Sequence, residues 1–564
     1  MEVREAPPVP ATDTGPVAPP VIGRPRWLPH ALALLLVLLA VTAIGGRDHG
    51  WTPDDGAYAL QVDALDRTGG WAWPYPHADI DPDLRHVPFT HGVVTEEGAA
   101  YPYVKLPAWI LVLRASTWLF GDGFGLYVPS LLGVLAAALV AWHLARRFDP
   151  DAAPWAFWAT GVGALLVEGT AMWAHSAAAA LAGVAAITVI DAAGGRRARV
   201  LRLAAVLAVL VLLRREGLLV AAATVAVLGV VGLGGPGGPL DRVRRAAWLT
   251  AAPTVAVVAA HLGNARWVDR IAPGTAVADG EFSSGVRYLE GRFSGAGNSL
   301  LYGAGEYRLG RLLAVAAIVF VAGAGFLLFR RRDVGAATVA AVTGLALMAL
   351  RSLVVAPFDL AGLFVASPLL VVAAFGVRRS DLDRRVVAAG AWAATFAGAV
   401  LLTQYPEGGA WDWGGRFFLP LLIPAVVGSV IVWRRALASA GPGDRRRIAS
   451  LAVALVVVPT LLGLYATTAL RAEFRQATDD AVATGAPHVI RTPRFIARTS
   501  WSEIPDGDWM AASTPADVEA LLAGLRRSGA GPVAVVGSIA VEVDAPGWDR
   551  EVVSPTVVVF TPDP

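Results

Sequence analysis

The chain has 564 residues, 55% hydrophobic and 16% charged, with a mean hydropathy of +0.55 and a formal net charge of +2. That is too apolar for a soluble globule, and the arginines fall in short clusters between apolar spans rather than on one basic face, which excludes nucleic acid as an expected partner. No cysteine is present, so disulfides, thiolate metal sites and cysteine nucleophiles are excluded as well.

Residues 1–26 are rich in Pro, Ala and Val with scattered charges, a composition that cannot offset the entropy of ordering, and they are expected to form a disordered cytoplasmic tail. The apolar run 27–44 is long enough to cross a hydrocarbon core of about 30 Å and has no clear small-x-small cleavage site, so it reads as a retained anchor. The polar stretch 47–104 follows, crowded with Trp, Tyr, His and Asp and too long for a simple connector. Apolar spans then recur near 122–145, 152–170, 172–192, 198–213, 217–234, 246–263, 310–329, 334–351, 354–376, 386–403, 416–433 and 448–469. With the anchor they make about 13 transmembrane helices, an all-α polytopic membrane domain over 27–470.

Arginine clusters at 146–147, 196–202, 242–245, 330–332, 378–385 and 434–447 occupy alternate connections, on the same side as Arg24 and Arg26. Translocation disfavours positive charge in short loops, so that side is expected in the cytoplasm. The outer loops 47–104 and 263–309, the turn 404–415 and everything after 470 are then expected outside the cytoplasmic membrane. Residues 471–564 change composition and read as a small extracytoplasmic α/β domain, a lid or docking module without catalytic groups of its own. Thr514 is a suitable cap for a helix over 515–527, Gly529-Ala-Gly531 a suitable stop, and strands are expected over 533–536 and 552–560, with a weaker one over 488–491.

Several polar islands at the outer ends of the spans are candidates for chemistry. Asp54 and Asp55 stand in Trp51-Thr-Pro-Asp-Asp-Gly-Ala-Tyr58, just beyond the anchor, where a lipid-borne substrate is accessible. One of them suits a general base acting on an acceptor hydroxyl; a Pro-Asp-Asp-Gly turn capping a helix is the structural alternative, and each reading can hold for a different member of the pair. Lys105 sits where the loop re-enters the membrane, as an interfacial snorkelling lysine or a phosphate ligand. Arg214, Arg215 and Glu216 interrupt two apolar spans with almost no loop; they are either a turn-stabilising ion pair or a cavity lining in which guanidinium groups hold phosphate oxygens. The same reasoning covers Arg351 and Arg416. Glu168 and His175 lie across a short turn, where structural pairing is an equal alternative. His77, Asp79 and Asp81, with His86 and His91 nearby, are the weak metal-ligand candidates.

In order along the chain these islands resemble the GT-C superfamily of polyprenyl-phosphate-sugar glycosyltransferases, which includes protein O-mannosyltransferases, lipid A aminoarabinose transferases and the actinobacterial arabinofuranosyl and mannosyl transferases. The likeness rests on Asp54-Asp-Gly-x-Tyr58 in the first outer loop, Tyr101-Pro-Tyr-Val-Lys-Leu-Pro107 at loop re-entry, Trp173-Ala-His-Ser176 and Arg215-Glu216 opening helices, and Trp413-Gly-Gly-Arg-Phe-Phe-Leu-Pro420 opening a late one. It covers about 45–435. The chain departs from it in carrying Trp-Ala-His where a more acidic Trp-Glu-His is expected, and in its C-terminal segment.

The resemblance implies a bacterial integral membrane transferase that moves a sugar from a polyprenyl-phosphate carrier to an envelope glycan, lipid or protein, with inversion by direct displacement. Asp54 or Asp55 would be the catalytic acid, and Lys105, Arg214, Arg215 and Arg416 would contact the carrier phosphate. Tyr58, His175, Glu216 and Arg351 would line the pocket. No cofactor is required by that scheme, and a divalent metal is the less favoured alternative. The rival readings are a lipid-linked saccharide flippase or other transporter, which predicts mid-span charges and internal repeats that this chain does not display, and a noncatalytic assembly subunit.

Overall fold

A computed structural model describes residues 26–45, 50–89, 93–95, 98–273, 286–303, 308–355, 361–403, 413–492, 500–537 and 539–563. The expected tail 1–25, His91 and most of the turn 404–415 lie outside these residues. The helices are α1 (Leu28–Gly45), α2 (Pro53–Thr68), α3 (Pro107–Phe120), α4 (Asp122–Gly125), α5 (Val128–Ala145), α6 (Ala153–Gly161), α7 (Ala164–Glu168), α8 (His175–Ala193), α9 (Val200–Leu213) and α10 (Gly217–Leu233). They continue as α11 (Pro239–Ile271), α12 (Val286–Gly297), α13 (Arg308–Phe326), α14 (Val334–Val355), α15 (Leu363–Ala366), α16 (Pro368–Ala374), α17 (Arg384–Thr403), α18 (Leu419–Ser439) and α19 (Pro442–Ala483). Two short strands, β1 (Val93–Val94) and β2 (Ala100–Tyr101), pair in the first loop.

Among the described residues nine helices are long and apolar enough to cross a membrane, and α3, α9 and α10 are shorter apolar helices. The chain is a multi-pass membrane protein. Three of the expected spans are not single helices; 122–145 is split into α4 and α5 at Leu126 and Tyr127. The stretch 152–170 breaks into α6 and α7 because Gly163 takes an extended backbone between them. The stretch 354–376 holds the short helices α15 and α16, separated at Ser367, whose backbone (φ −139°, ψ 60°) is out of the helical region that a following Pro368 disfavours.

Lipid tails offer no hydrophobic incentive for helices to associate, so close backbone approach at small residues has to hold the bundle. Gly133 on α5 faces Ser176 and Ala177 of α8 so closely that a β-carbon there would lie 2.5 Å from the Ala177 nitrogen. Reciprocal bonds, from Ser130 Oγ to the Trp173 carbonyl at 2.8 Å and from Ser176 Oγ to the Ser130 carbonyl at 2.6 Å, stitch the same two elements. At the opposite end of these helices the arginine clusters meet acids. Arg147 forks onto Asp191 at 2.9 and 3.0 Å, Arg434 reaches Asp149 at 3.3 Å, Arg435 pairs with Asp381, and Arg196, Arg197, Arg245, Arg384 and Arg385 share one cleft. Clusters far apart in sequence thus gather at one end of the bundle.

Helix α19, 42 residues long, extends roughly 63 Å, about twice a hydrocarbon core, and carries the chain from the bundle to the C-terminal sheet. There β3 (His488–Arg491), β4 (Asp508–Ala511), β5 (Val533–Val536), β6 (Trp548–Ser554) and β7 (Val557–Pro562) form a mixed sheet of order β4-β3-β5-β7-β6, parallel in its first three strands. The single strand expected over 552–560 is a hairpin, β6 and β7, that turns at Pro555 and Thr556; β4 was not foreseen. Helix α20 (Pro515–Arg527) begins at the expected cap, Thr514, in a capping box with Asp517.

Alternation along the strands sends Ile490, Met510, Val533 and Val535 toward α20, and Val489, Ala511, Ala534 and Val536 toward Leu60 and Ala64 of α2 and Trp73, Leu84 and Phe89 of the first loop. The helix that opens with Asp54 and Asp55 is therefore packed from behind by the C-terminal sheet.

A single methyl group separates two glycines on these terms. Gly133→Ala is expected to lower stability by about 1–3 kcal/mol, seen as a lower midpoint of thermal unfolding in detergent, because helix backbone must shift to admit it. Gly263→Ala, inside α11 with nothing within 4 Å of its β-carbon, should not lower the midpoint and should raise it slightly, because alanine is the better helix former.

Candidate functional site

Helix α2 starts as its sequence requires: Thr52 caps it, Pro53 occupies the first turn, and two acids sit where the helix dipole favours negative charge. Successive helical residues point about 100° apart, so the two aspartates have separate surroundings. Asp55 is fully buried. Its Oδ2 accepts from the Trp51 and Thr52 backbone N–H groups, both at 3.1 Å, and its Oδ1 accepts from the Met172 N–H at 2.6 Å. Asp54 is partly exposed, and its Oδ2 lies 3.6 Å from Arg416 Nη1.

Met172 belongs to the non-helical corner 169–174 between α7 and α8, which other elements hold through its backbone. Trp109 Nε1 of α3 donates to the Met172 carbonyl at 2.8 Å, and Arg471 of α19 donates to the Thr170 carbonyl. Within the corner, Trp173 Nε1 donates to the Glu168 carbonyl at 3.2 Å. The corner presents His175, buried, with its ring edge-on to Trp173 at 4.7 Å and no hydrogen-bond partner for Nε2 among the described residues. Glu168 is buried on the other side of the corner.

Arg416 arrives from the turn before α18. Gly414 (φ 78°) and Gly415 (φ 63°) adopt the left-handed backbone that the turn needs, and a β-carbon on Gly415 would strike the Ser299 carbonyl oxygen. The guanidinium then lies 5.6 Å from the Trp173 ring and 4.9 Å from that of Phe417. Arg214, at the end of α9, forks onto Glu216 with bonds of 3.1 and 2.7 Å, so the expected ion pair forms; it lies within electrostatic reach of Tyr58, Tyr103 and His175. Tyr58 and Tyr103 meet edge-to-face at 4.5 Å, and burial raises both phenols, that of Tyr103 to about 12, so both remain hydroxyl donors.

The structure thus brings Asp54, Tyr58, His175, Arg214, Glu216 and Arg416 into one cluster at one end of the helices. Arg215 is partly buried and within electrostatic reach of Tyr103. Lys105, two residues beyond Tyr103, is partly exposed, and its carbonyl accepts from Asn264 Nδ2 at 3.3 Å. Arg351 is buried near the end of α14, which packs against α13 and α19.

The metal candidates divide differently from expectation. Asp79 is exposed, and Asp81 uses its two oxygens to cap the loop N–H groups of Arg85 and His86 at 2.9 and 2.7 Å. His86 Nδ1 is engaged with the Ala511 carbonyl at 2.8 Å, and His77 Nε2 faces Asp508 of the C-terminal sheet while its ring stays within electrostatic reach of Asp79 and Asp81.

Sequence reasoning missed Arg471 and Gln61. The signal for Arg471 was a lone arginine just past the last apolar span. Gln61 gave none, yet it accepts from the Tyr103 N–H at 3.0 Å and donates to the Trp71 carbonyl at 2.8 Å, fixing the loop beside the cluster.

Burial pushes the Asp55 carboxyl from 3.8 up to about 6, against the three backbone donors and Arg471, which favour the anion. Because the folded chain binds this proton more tightly than the unfolded one, the stabilisation is complete below pH 3.8 and is lost as the pH rises through about 6, by at most roughly 3 kcal/mol. Thermal unfolding between pH 4 and 7.5 should show that loss in the wild type and not in Asp55→Asn. Parallel curves would refute it.

No family model matches the chain, and no curated protein sequence matches it significantly. Among solved structures it is similar to ArnT from Cupriavidus metallidurans in the apo state, with a TM-score of 0.51 and 14% identity over 94% of this chain and 98% of that one. The undecaprenyl phosphate-bound form of that protein has a TM-score of 0.47 and 13% identity over 94% and 98%. An apo oligosaccharyltransferase from Archaeoglobus fulgidus has a TM-score of 0.47 and 12% identity over 91% and 70%. The likeness to apo ArnT spans nearly all of both chains and shows that the two share a fold.

Proposed function

We propose that this chain is an integral membrane glycosyltransferase that moves a sugar from a polyprenyl-phosphate carrier to a cell-envelope acceptor at the outer face of the cytoplasmic membrane. The observation that carries this reading is the Asp54–Arg416 pair, 3.6 Å apart, in a cluster that also holds Arg214, Tyr58 and His175. A carboxylate beside guanidinium groups at the end of apolar helices suits an acceptor hydroxyl and a lipid-linked phosphate together.

Asp54 is our choice for the base. Both oxygens of Asp55 are occupied by backbone N–H groups in a fully buried setting, so Asp55 is a positioning residue that holds the opening of α2 against the 169–174 corner. Asp54 takes the proton from the acceptor hydroxyl. The acceptor oxygen forms its bond to the anomeric carbon as the bond from that carbon to the phosphate oxygen breaks, and the phosphate leaves on its carrier. Arg416 suits this leaving group because bidentate guanidinium contacts match phosphate oxygens, and its shift from Asp54 to the phosphate would free the carboxylate to accept the proton. Lys105 and Arg215 supply further positive charge on the same side; Glu216 holds Arg214 in place. The gathered arginine clusters at the opposite end fit a cytoplasmic face, which leaves the N-terminus inside and the C-terminal segment outside.

Transfer by the purified full-length protein in lipid, supplied with radiolabelled polyprenyl-phosphate sugars and envelope extract, tests the reading. Asp54→Asn is expected to lower the rate by roughly 10²–10⁴-fold with donor binding retained, and Arg416→Ala to weaken donor binding. Donor binding without transfer in the wild type, or a rate indifferent to Asp54→Asn, would instead support a transporter or an assembly subunit.

A further inference from the structure

His488 and Asp508 are register partners across the parallel ladder of β3 and β4, so the sheet itself sets them side by side at the start of the two strands. His488 Nδ1 lies 3.3 Å from Asp508 Oδ2. The first outer loop wraps over this edge: Ile80 packs where a β-carbon on Gly524 of α20 would be, the Ala511 N–H donates to the His86 carbonyl at 2.8 Å, and His77 comes to rest with Nε2 4.0 Å from Asp508 Oδ1. One ligand atom from each of His77, His488 and Asp508 lies within 4.8 Å of the other two.

The two imidazole nitrogens that face this point, His77 Nε2 and His488 Nδ1, are shielded from solvent and make no hydrogen bond among the described residues. His77 is 5% exposed, so the nitrogen it aims at this point is out of reach of bulk water. A shielded nitrogen without a partner costs roughly 1–3 kcal/mol unless something occupies its lone pair. Two such nitrogens and a carboxylate converging on one point form a ligand set for a transition-metal cation.

We propose that His77, His488 and Asp508 bind one Zn²⁺, clamping the first outer loop to the C-terminal sheet. Tetrahedral zinc with bonds of about 2.1 Å places its ligands roughly 3.4 Å apart, so the contacts on the page need only small side-chain rotations to close. Two imidazoles select zinc over magnesium or calcium, which prefer oxygen ligands, and the partly exposed side of Asp508 leaves the fourth position to water. The site is separate from the Asp54 cluster, and the inference stands independently of the transfer reaction. Its mechanical consequence is direct: the loop it would clamp follows α2, the helix that begins with Asp54.

Tag-free full-length protein in lipid nanodiscs, stripped with chelator and titrated with ZnCl₂, is the test, read by metal content per chain and by the thermal unfolding midpoint. We expect one Zn²⁺ per chain and a raised midpoint. His77→Ala and His488→Ala should each weaken binding by more than the roughly 10–100-fold that loss of an outer-shell partner costs. Asp508→Asn, at a partly exposed position where misfolding is not expected, should weaken it as well. His86→Ala, whose ring is engaged with the Ala511 carbonyl, should keep the wild-type affinity. Absence of retained zinc in the wild type, or affinity equal in the wild type and all three ligand variants, would overturn the proposal.

Discussion

The structure depends on how a non-helical corner of backbone, 169–174, is satisfied where water is scarce. A peptide group left unpaired in apolar surroundings costs several kcal/mol, so irregular backbone in a membrane protein survives only where other groups bond it. Here four elements contribute. Asp55 of α2 takes the Met172 N–H, Trp109 of α3 the Met172 carbonyl, Ser130 of α5 the Trp173 carbonyl, and Arg471 of α19 the Thr170 carbonyl. Those bonds tie the first, middle and last parts of the chain to one point, and that point presents Trp173 and His175.

The two adjacent aspartates show how one helical step places neighbouring carboxylates in different surroundings. The capping geometry that makes Asp55 indispensable to the start of α2 also turns Asp54 about 100° away, toward Arg416. Arg214 is neutralised in the same spirit by Glu216, two residues on, so that a buried cation is held by a partner of opposite charge. A cluster of opposite charges results in which each long side chain is braced by a partner or an aromatic ring. For the transfer reaction proposed above such bracing would matter, because preorganised charge stabilises a transition state without reorganising at the moment of reaction.

The C-terminal sheet belongs to this arrangement. Its inner face covers Leu60 and Ala64, about one and a half and two and a half turns beyond the aspartates on α2, and Arg67 of the same helix reaches Asp506 at 2.8 Å. A displacement of the sheet would therefore be felt along α2. The length of α19 and the packing of the first loop against β4 make the sheet a support for the site's first helix as well as a covering layer.

Much of this was legible in the residues themselves. Long apolar runs have to become helices in a bilayer because no other open structure pairs its own backbone, so most spans, the Thr514 cap and the strands 488–491 and 533–536 followed from local pattern alone. The order of polar islands singled out Asp54, Asp55, Arg214, Glu216 and Arg416 as candidates, since charge that close to lipid demands a reason. The breaks at Gly163 and Ser367 and the turn inside 552–560 were hidden because apolar composition continues across them while φ and ψ do not. Which aspartate is buried, that Arg471 and Gln61 brace the cluster, and that His77 meets His488 and Asp508 more than 400 residues away were decided only by tertiary structure, because those choices depend on which segments meet in space, and hydrophobic periodicity carries no record of partner identity.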